Sequence, residues 1–496
     1  MKLDKISLAV VAALTLSSSV HATLINDKIT LKGNMVVKYN KLPPIANNFL
    51  EAFSEGEFYG RLRLNSFKWD WQNLPPNITS KMDNKAMGIG GSFIYKTAPL
   101  HGISATAGLY TSQNPSAWRM NTNRVNTLKS GKDTFSRYDT SATGKYGMSV
   151  LAQAYLQYDL GKTSFVAGRQ LFETVFTKSN DTKMVPNAFD GITATISDIP
   201  KTKIQLAYLA KQKLRDHTTS HDVIAYRKDN PDTDKRENWS ENDDSAVNRN
   251  LTVARIGDDN ELIIGTITNK SIKNLKVNLS YAMVPKVLSN LAVEVHYAIP
   301  IASDWSIVPG VRYMQQFDDL NADYNVANLV TKHDGYKESA KQSLDTNLLA
   351  ARLDIKNKAF LARFGYSKIA DEADFVTPWR GFPTGGFTRA MAQYNWNANT
   401  KTYMARAGYD FGKAKILDGF SIMGRYAIQD TDDKKAGVAG DCNVIHIDAR
   451  QNITKNLELK VRFGFVDYAD DIVDINGNTK ADLSYNEYRV ELNYFF

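Results

Sequence analysis

Eighteen stretches of this 496-residue chain alternate apolar and polar side chains with a period of two, the first at 58–69 and the last at 485–496. Side chains of an extended strand point to opposite faces in turn, so each stretch reads as a strand with one apolar and one polar face. In 274–283, Leu275, Val277, Leu279, Tyr281 and Met283 alternate with Lys276, Asn278, Ser280 and Ala282. Each stretch has about the 9 to 11 residues that a tilted strand needs to cross a bilayer. The connections alternate too. Those at 97–102, 160–162, 199–201, 299–304, 356–357 and 452–455 are short, whereas 112–148, 211–260, 315–343 and 368–401 are long. Tight turns on one side and large loops on the other mark an outer-membrane barrel, and the strand number is even, as a single-chain bacterial barrel requires. A soluble all-β chain has no reason to alternate its connections. The expected fold is therefore all-β: a single-chain transmembrane antiparallel β-barrel of 18 strands.

The last stretch sharpens this reading. Tyr488, Val490, Leu492, Tyr494 and Phe496 share one face, and Glu487, Arg489, Glu491 and Asn493 the other. Such a strand at the edge of a soluble sheet exposes a row of unpaired backbone groups. In a barrel it pairs with the first strand and removes both edges. A terminal aromatic on a final amphipathic strand resembles the signal read by the barrel-assembly machinery, which is one expected partner.

Residues 1–22 read as a secretory signal peptide. Lys2 and Lys5 precede a short apolar run, and Val20-His21-Ala22 is a small-residue cleavage site. No apolar run later in the chain reaches the roughly 20 residues of a spanning helix. Residues 23–57 form a pre-barrel segment, periplasmic or lumenal: Lys28 to Tyr39 alternates weakly, and Lys41-Leu42-Pro43-Pro44 breaks it. The barrel occupies 58–496. One cysteine, Cys442, excludes an intramolecular disulfide framework and reads as a stray loop thiol. The rival class is a barrel enzyme, a lipase or protease. After the signal only His101, His217, His221, His296, His333 and His446 could serve as a base, and none lies in a catalytic motif. No metal site or cofactor is expected. The net charge of +8 is interleaved with lipid-facing aromatics, which argues against a groove for nucleic acid.

Gly168 to Ile192 reads G-R-Q-L-F-E-T-V-F-T-K-S-N-D-T-K-M-V-P-N-A-F-D-G-I, at the join between the fifth and sixth strands. Gly168 and Gln170, Asp181-Thr182-Lys183-Met184, Pro186, Phe189 and Gly191 are similar to the third-loop pattern of OprD-type outer-membrane porins. Thr377-Pro378-Trp379-x-Gly381, Tyr409-Asp410-Phe411 and Asn486-Glu487-Tyr488-Arg489 extend the resemblance over the chain from about Phe58. The resemblance implies passive uptake of small hydrophilic solutes and ions, with carboxylates guided by basic residues on one wall. It also implies a third loop folded inward, contact with outer-membrane lipid, and a monomer or loose homotrimer. The family often carries Arg where Lys183 stands, and this loop has no tyrosine, only Phe172, Phe176 and Phe189.

Parity identifies the inward charges. Leu62 and Leu64 face lipid, so Arg61 and Arg63 face the lumen, as do Arg312, Arg352, Arg363, Arg406, Arg425, Arg462 and Arg489. A charge on the lipid face near the midplane costs about 2–4 kcal/mol. Arg169 shares parity with Phe165 and Ala167, so it is expected near the rim or past a change of parity. The expected basic track is Arg61, Arg63, Arg406 and Arg425, with Arg389 from the seventh loop. Arginine keeps its charge and binds a carboxylate through two parallel hydrogen bonds. The expected constriction loop comprises Phe172, Glu173, Phe176, Asp181, Lys183 and Phe189, with Glu173 and Asp181 as the opposing acids.

Overall fold

The computed structural model describes residues 29–31, 37–41, 43–73, 82–125, 127, 129–225, 251–320, 343–391, 393–435 and 438–496. The signal peptide, His333 and much of the loops expected at 211–260 and 315–343 lie outside the described residues. A short ribbon, β1 (Ile29–Leu31) and β2 (Val37–Tyr39), and a helix, α1 (Phe49–Ser54), precede the barrel. The first half of the wall runs β3 (Glu57–Trp71), β4 (Asn84–Lys96), β5 (Ile103–Gln113), β6 (Met148–Leu160), β7 (Thr163–Gln170), β8 (Ala188–Ile196), β9 (Thr202–Lys213), β10 (Leu262–Asn269) and β11 (Leu275–Val284). Then come β12 (Leu288–Tyr297), with the two-residue β13 (Ile299–Pro300) beyond it, β14 (Ser306–Asp318), β15 (Thr346–Lys356), β16 (Phe360–Ile369), β17 (Lys401–Asp410), β18 (Phe420–Asp430), β19 (Cys442–Asn452), β20 (Leu457–Tyr468) and β21 (Tyr485–Phe495). Setting β13 aside, these strands form a closed antiparallel barrel of 18. Every expected segment is one of them.

Closure is made by β21 on β3, with Tyr485 opposite Trp71 and Phe495 opposite Arg61. The Phe496 amide donates to the Gly60 carbonyl at 3.1 Å, and the Gly60 amide to the Phe496 carbonyl at 3.0 Å. The Phe496 ring lies 5.7 Å from Phe58 and 6.1 Å from Phe93. Leu156, Ile192, Phe364 and Tyr403 are 59 %, 60 %, 55 % and 51 % exposed at mid-strand. That much bare apolar surface is sustainable in hydrocarbon and not in water.

The loop alternation has two exceptions. The connection at 285–287, on the loop side, is a tight turn, and 411–419, on the turn side, is long. Cys442 is also corrected: it opens β19, 3 % exposed, with its Sγ 3.5 Å from Gln429 Oε1. The apolar residues around it are few in sequence but close in space, which hid its burial.

Candidate functional site: the lumen wall and its loops

The third loop, between β7 and β8, reaches the inner face of β3. Arg61 Nη2 donates to Asp181 Oδ2 at 2.5 Å, and Arg63 Nη1 to Asp181 Oδ1 at 3.1 Å. Arg63 also donates to Glu491 Oε1 at 2.8 Å, to Asn493 Oδ1 at 2.9 Å and to the Lys183 carbonyl. The two arginines face inward as expected, yet both are buried and neutralised. They fasten the third loop to the wall rather than lining open lumen. Parity told which face they occupy; the carboxylate that covers them comes from a segment distant in sequence. Asp181 is correspondingly no free counter-charge.

Glu173 is not an opposing acid either. Its Oε1 accepts from Ser179 Oγ at 2.5 Å, and its Oε2 lies 3.5 Å from Lys178 Nζ, so it staples its own loop. Lys183 is fully buried, 3.9 Å from Asp133 and 4.7 Å from the Phe67 ring centre. Phe172 and Phe176 are buried against Trp379, Phe382 and Phe387 of the seventh loop, which joins β16 to β17. Phe189 joins the same cluster from β8, not from the loop.

Third and seventh loops are hydrogen-bonded to each other. Gly381 N donates to Phe176 O at 2.8 Å, and Lys178 N to Trp379 O at 3.0 Å. A Cβ at Gly381 would lie 2.2 Å from the Phe176 carbonyl, so only glycine permits this approach. Arg380 and Phe382 on either side hold φ of +70° and +50°, a conformation that costs side-chain-bearing residues energy and is kept only by its surroundings. The seventh loop is in turn held by the wall. Arg312 Nη1 donates to Pro383 O at 2.7 Å and Gly385 O at 3.0 Å, while Arg352 and Arg363 donate to Gly386 O at 2.6 and 2.7 Å.

Strand register assembles a feature that parity alone did not show. Asp354 lies opposite Arg363, Arg363 opposite Arg406, Arg406 opposite Arg425, and Arg425 opposite His446. Four basic side chains thus form one row across the inner faces of β16 to β19. Arg363 is neutralised by a two-pronged pair with Asp354 at 2.6 and 2.7 Å. His446 Nε2 is 2.8 Å from Asp448 Oδ1, an acid also paired to Arg462 at 2.5 Å. Among the described residues, Arg406 and Arg425 have no carboxylate partner. Arg425 Nη1 donates only to the Arg389 carbonyl, at 2.6 Å, and the Arg389 guanidinium stacks 3.8 Å over Phe382. Like charges directly opposite on a sheet repel, so this pair is held at a cost that packing elsewhere offsets. A cavity of about 430 Å³ adjoins Arg406, with Arg462, Arg489, Asp448, Glu491 and Thr182 of the third loop also in its lining.

Other loops seal the loop side of the wall. Arg215 Nη2 lies 2.6 Å from Asp133, and Lys132 Nζ 3.4 Å from Glu487 of β21. His217 and His221 meet edge-to-face with ring centres 4.8 Å apart, and Tyr138 meets His217 the same way at 4.8 Å. Burial, with Lys213, Arg137 and Arg380 nearby, holds the His217 imidazole well below its ordinary value. Burial and His217 do the same to His221. Arg169 sits at the rim as expected, paired with Asp190 at 2.6 Å and donating to Ser220 Oγ at 2.7 Å.

Comparison with known proteins agrees with this geometry. The solved structure of OccAB1 from Acinetobacter baumannii shares 14 % identity at a TM-score of 0.65, covering 90 % of this chain and 97 % of that one. For OccAB3 of the same organism the values are 15 %, 0.66, 89 % and 99 %. For Pseudomonas aeruginosa OpdK, solved with vanillate, they are 12 %, 0.63, 89 % and 98 %. At these identities the likeness is one of fold. No curated protein matches the chain. Residues 123–495 match the family described as outer membrane porin, OprD family. That match starts within the second loop, later than the resemblance from Phe58, and it runs through the closing strand: the chain belongs to the OprD family of outer-membrane porins.

Proposed function

We propose that this porin gives passive, diffusion-driven passage to small hydrophilic solutes and favours those bearing a carboxylate. The observation that carries the reading is the adjacent pair Arg406 and Arg425, two inward-facing cations with no carboxylate ion-pair partner among the described residues, of which Arg406 lines the cavity. An arginine with free donors offers a carboxylate two parallel hydrogen bonds. The neighbours Arg363 and Arg462 are each paired with an acid, Asp354 and Asp448, and hold the wall around the pair in place. One solved relative of the same fold was crystallised with vanillate, itself a carboxylate. The third loop, fastened at Asp181 and tied to the seventh loop at Gly381, is the narrowest element of the path. It is held in place by phenylalanines that water would otherwise reach.

Residues 1–22 act as the export signal, 23–57 as a pre-barrel segment and 58–496 as the barrel. The strand ending on Phe496 is what the assembly machinery recognises. One chain closes its own conduit, so the unit is complete as a monomer or in a loose homotrimer within outer-membrane lipid. The test is a reversal-potential series in planar bilayers. Benzoate-sized monocarboxylates are compared with ammonium cations of equal size, at low and high salt. The expected result is an anion preference that fades as salt rises. Equal permeation of the two series at low salt refutes it. Shortening the third loop raises conductance if that loop sets the narrowest point.

A further inference from the structure

The segment before the barrel packs where solutes must pass. In the β1–β2 ribbon Ile29 pairs with Tyr39, Thr30 with Lys38, and Leu31 with Val37. A two-stranded ribbon alone is marginal in water, and this one rests on something. Ile29 is buried with Tyr59 of β3, Ile94 of β4, Tyr110 of β5 and Val150 of β6, and Leu31, Val37 and Tyr39 pack on the same cluster. Those wall residues face the lumen: Tyr59 is 3 % exposed beside Phe58 at 54 %, and Tyr110 is fully buried beside Leu109 at 45 %. Met184 and Val185 of the third loop belong to the same cluster, so the ribbon abuts that loop inside the barrel. The other face of the ribbon carries Thr30, Lys38 and Asn40, all exposed, with Asn40 Nδ2 donating to Thr30 Oγ1 at 2.9 Å.

The chain then leaves the lumen and is pinned at the turn-side rim. Ala46 N donates to Pro99 O and Ala98 N to Ala52 O, both at 2.9 Å. Asn48 caps α1 by accepting from Glu51 N at 2.9 Å. A segment tied at the rim and seated on lumen-facing side chains is part of the conduit.

We propose that the ribbon formed by residues 29–31 and 37–40 is a specificity element of the pore: it narrows the lumen on the β3–β6 side and presents Lys38 to passing solutes. It leaves the path to run along the Arg406–Arg425 wall, which lies a third of the way round the barrel, six strand spacings from β4 to β17. The apolar face serves the wall, and the polar face replaces it as the surface a solute meets. This inference rests on the channel reading but not on the charge preference of the arginine pair.

Two strands about 4.8 Å apart and about 10 Å deep fill about 100 Å² seen end-on. An empty 18-strand barrel opens roughly 500 Å², so removing the ribbon raises conductance at least about 1.2-fold. The first variant deletes 23–43. The second, independent of how well that deletion assembles, is Lys38→Cys with Cys442→Ser, treated with a membrane-impermeant cationic methanethiosulfonate. Labelling followed by mass spectrometry and a lasting drop in single-channel current is expected. Failure of the introduced thiol to label, or complete labelling with unchanged current, overturns the proposal. If the carboxylate preference is wrong but the ribbon is right, current still drops on labelling while the arginine substitutions remain silent.

Discussion

Replacing Arg406 and Arg425 together by Gln is the sharpest test of how this lumen acts. The two are cross-strand neighbours on adjacent strands, and neither is cancelled by an acid among the described residues. A passing monovalent ion about 8 Å from one guanidinium feels about 0.5 kcal/mol in bulk water. One Debye length of screening at physiological salt leaves about 0.2 kcal/mol. Two arginines therefore favour an anion by about 0.4 kcal/mol and disfavour a cation by as much. The difference of about 0.8 kcal/mol is about a fourfold change in permeability ratio. The assay is the reversal potential across a salt gradient, for wild type and for Arg406→Gln/Arg425→Gln. The double variant should move toward cations, more at low salt and hardly at all at 1 M, where the Debye length is about 3 Å. Arg61→Gln/Asp181→Asn is the contrast: it removes a cation together with the carboxylate that pairs with it, so the net charge is unchanged and no such field effect is expected from it. Identical reversal potentials for wild type and double variant at low salt would refute the reasoning, because no screening argument could then hide two uncompensated charges.

Three further outcomes follow from the geometry. Asp181→Asn leaves Arg61 buried without its carboxylate; breaking a buried pair costs about 3–5 kcal/mol, and increased proteolysis of the third loop with noisier single-channel current should report it, whereas wild-type protection would show the clamp to be idle. Deleting Phe496 removes two backbone hydrogen bonds to Gly60 and the ring contacts with Phe58 and Phe93, so heat-modifiable barrel in outer membranes should fall sharply, measured by gel shift; undiminished assembly counts against the closing role. His217 and His221 are bases held neutral by burial, with folded pKa values below the ordinary one. The unfolded state therefore binds more protons as pH falls below about 6.5, and the stability of the packed loops declines there. Hydrogen exchange around 216–222 should rise between pH 7.5 and 5, and should lose that dependence in His217→Gln/His221→Gln; a flat wild-type profile would exclude these imidazoles as the cause.

The barrel was legible in the sequence because strand periodicity is local. Period two needs only neighbouring residues, and 18 such segments with alternating connections leave few other folds. The inward faces of Arg61, Arg63, Arg406 and Arg425 follow from the same parity. Their different fates do not. Asp181 neutralises the first two because a loop between β7 and β8 crosses to β3, and Arg425 meets Arg406 because β17 and β18 pair in one register among several that parity allows. Ion pairs, the Gly381 contact between third and seventh loops, and the seat of the N-terminal ribbon are long-range facts. They depend on which side chains closure brings within a few ångströms, which only the tertiary structure decides.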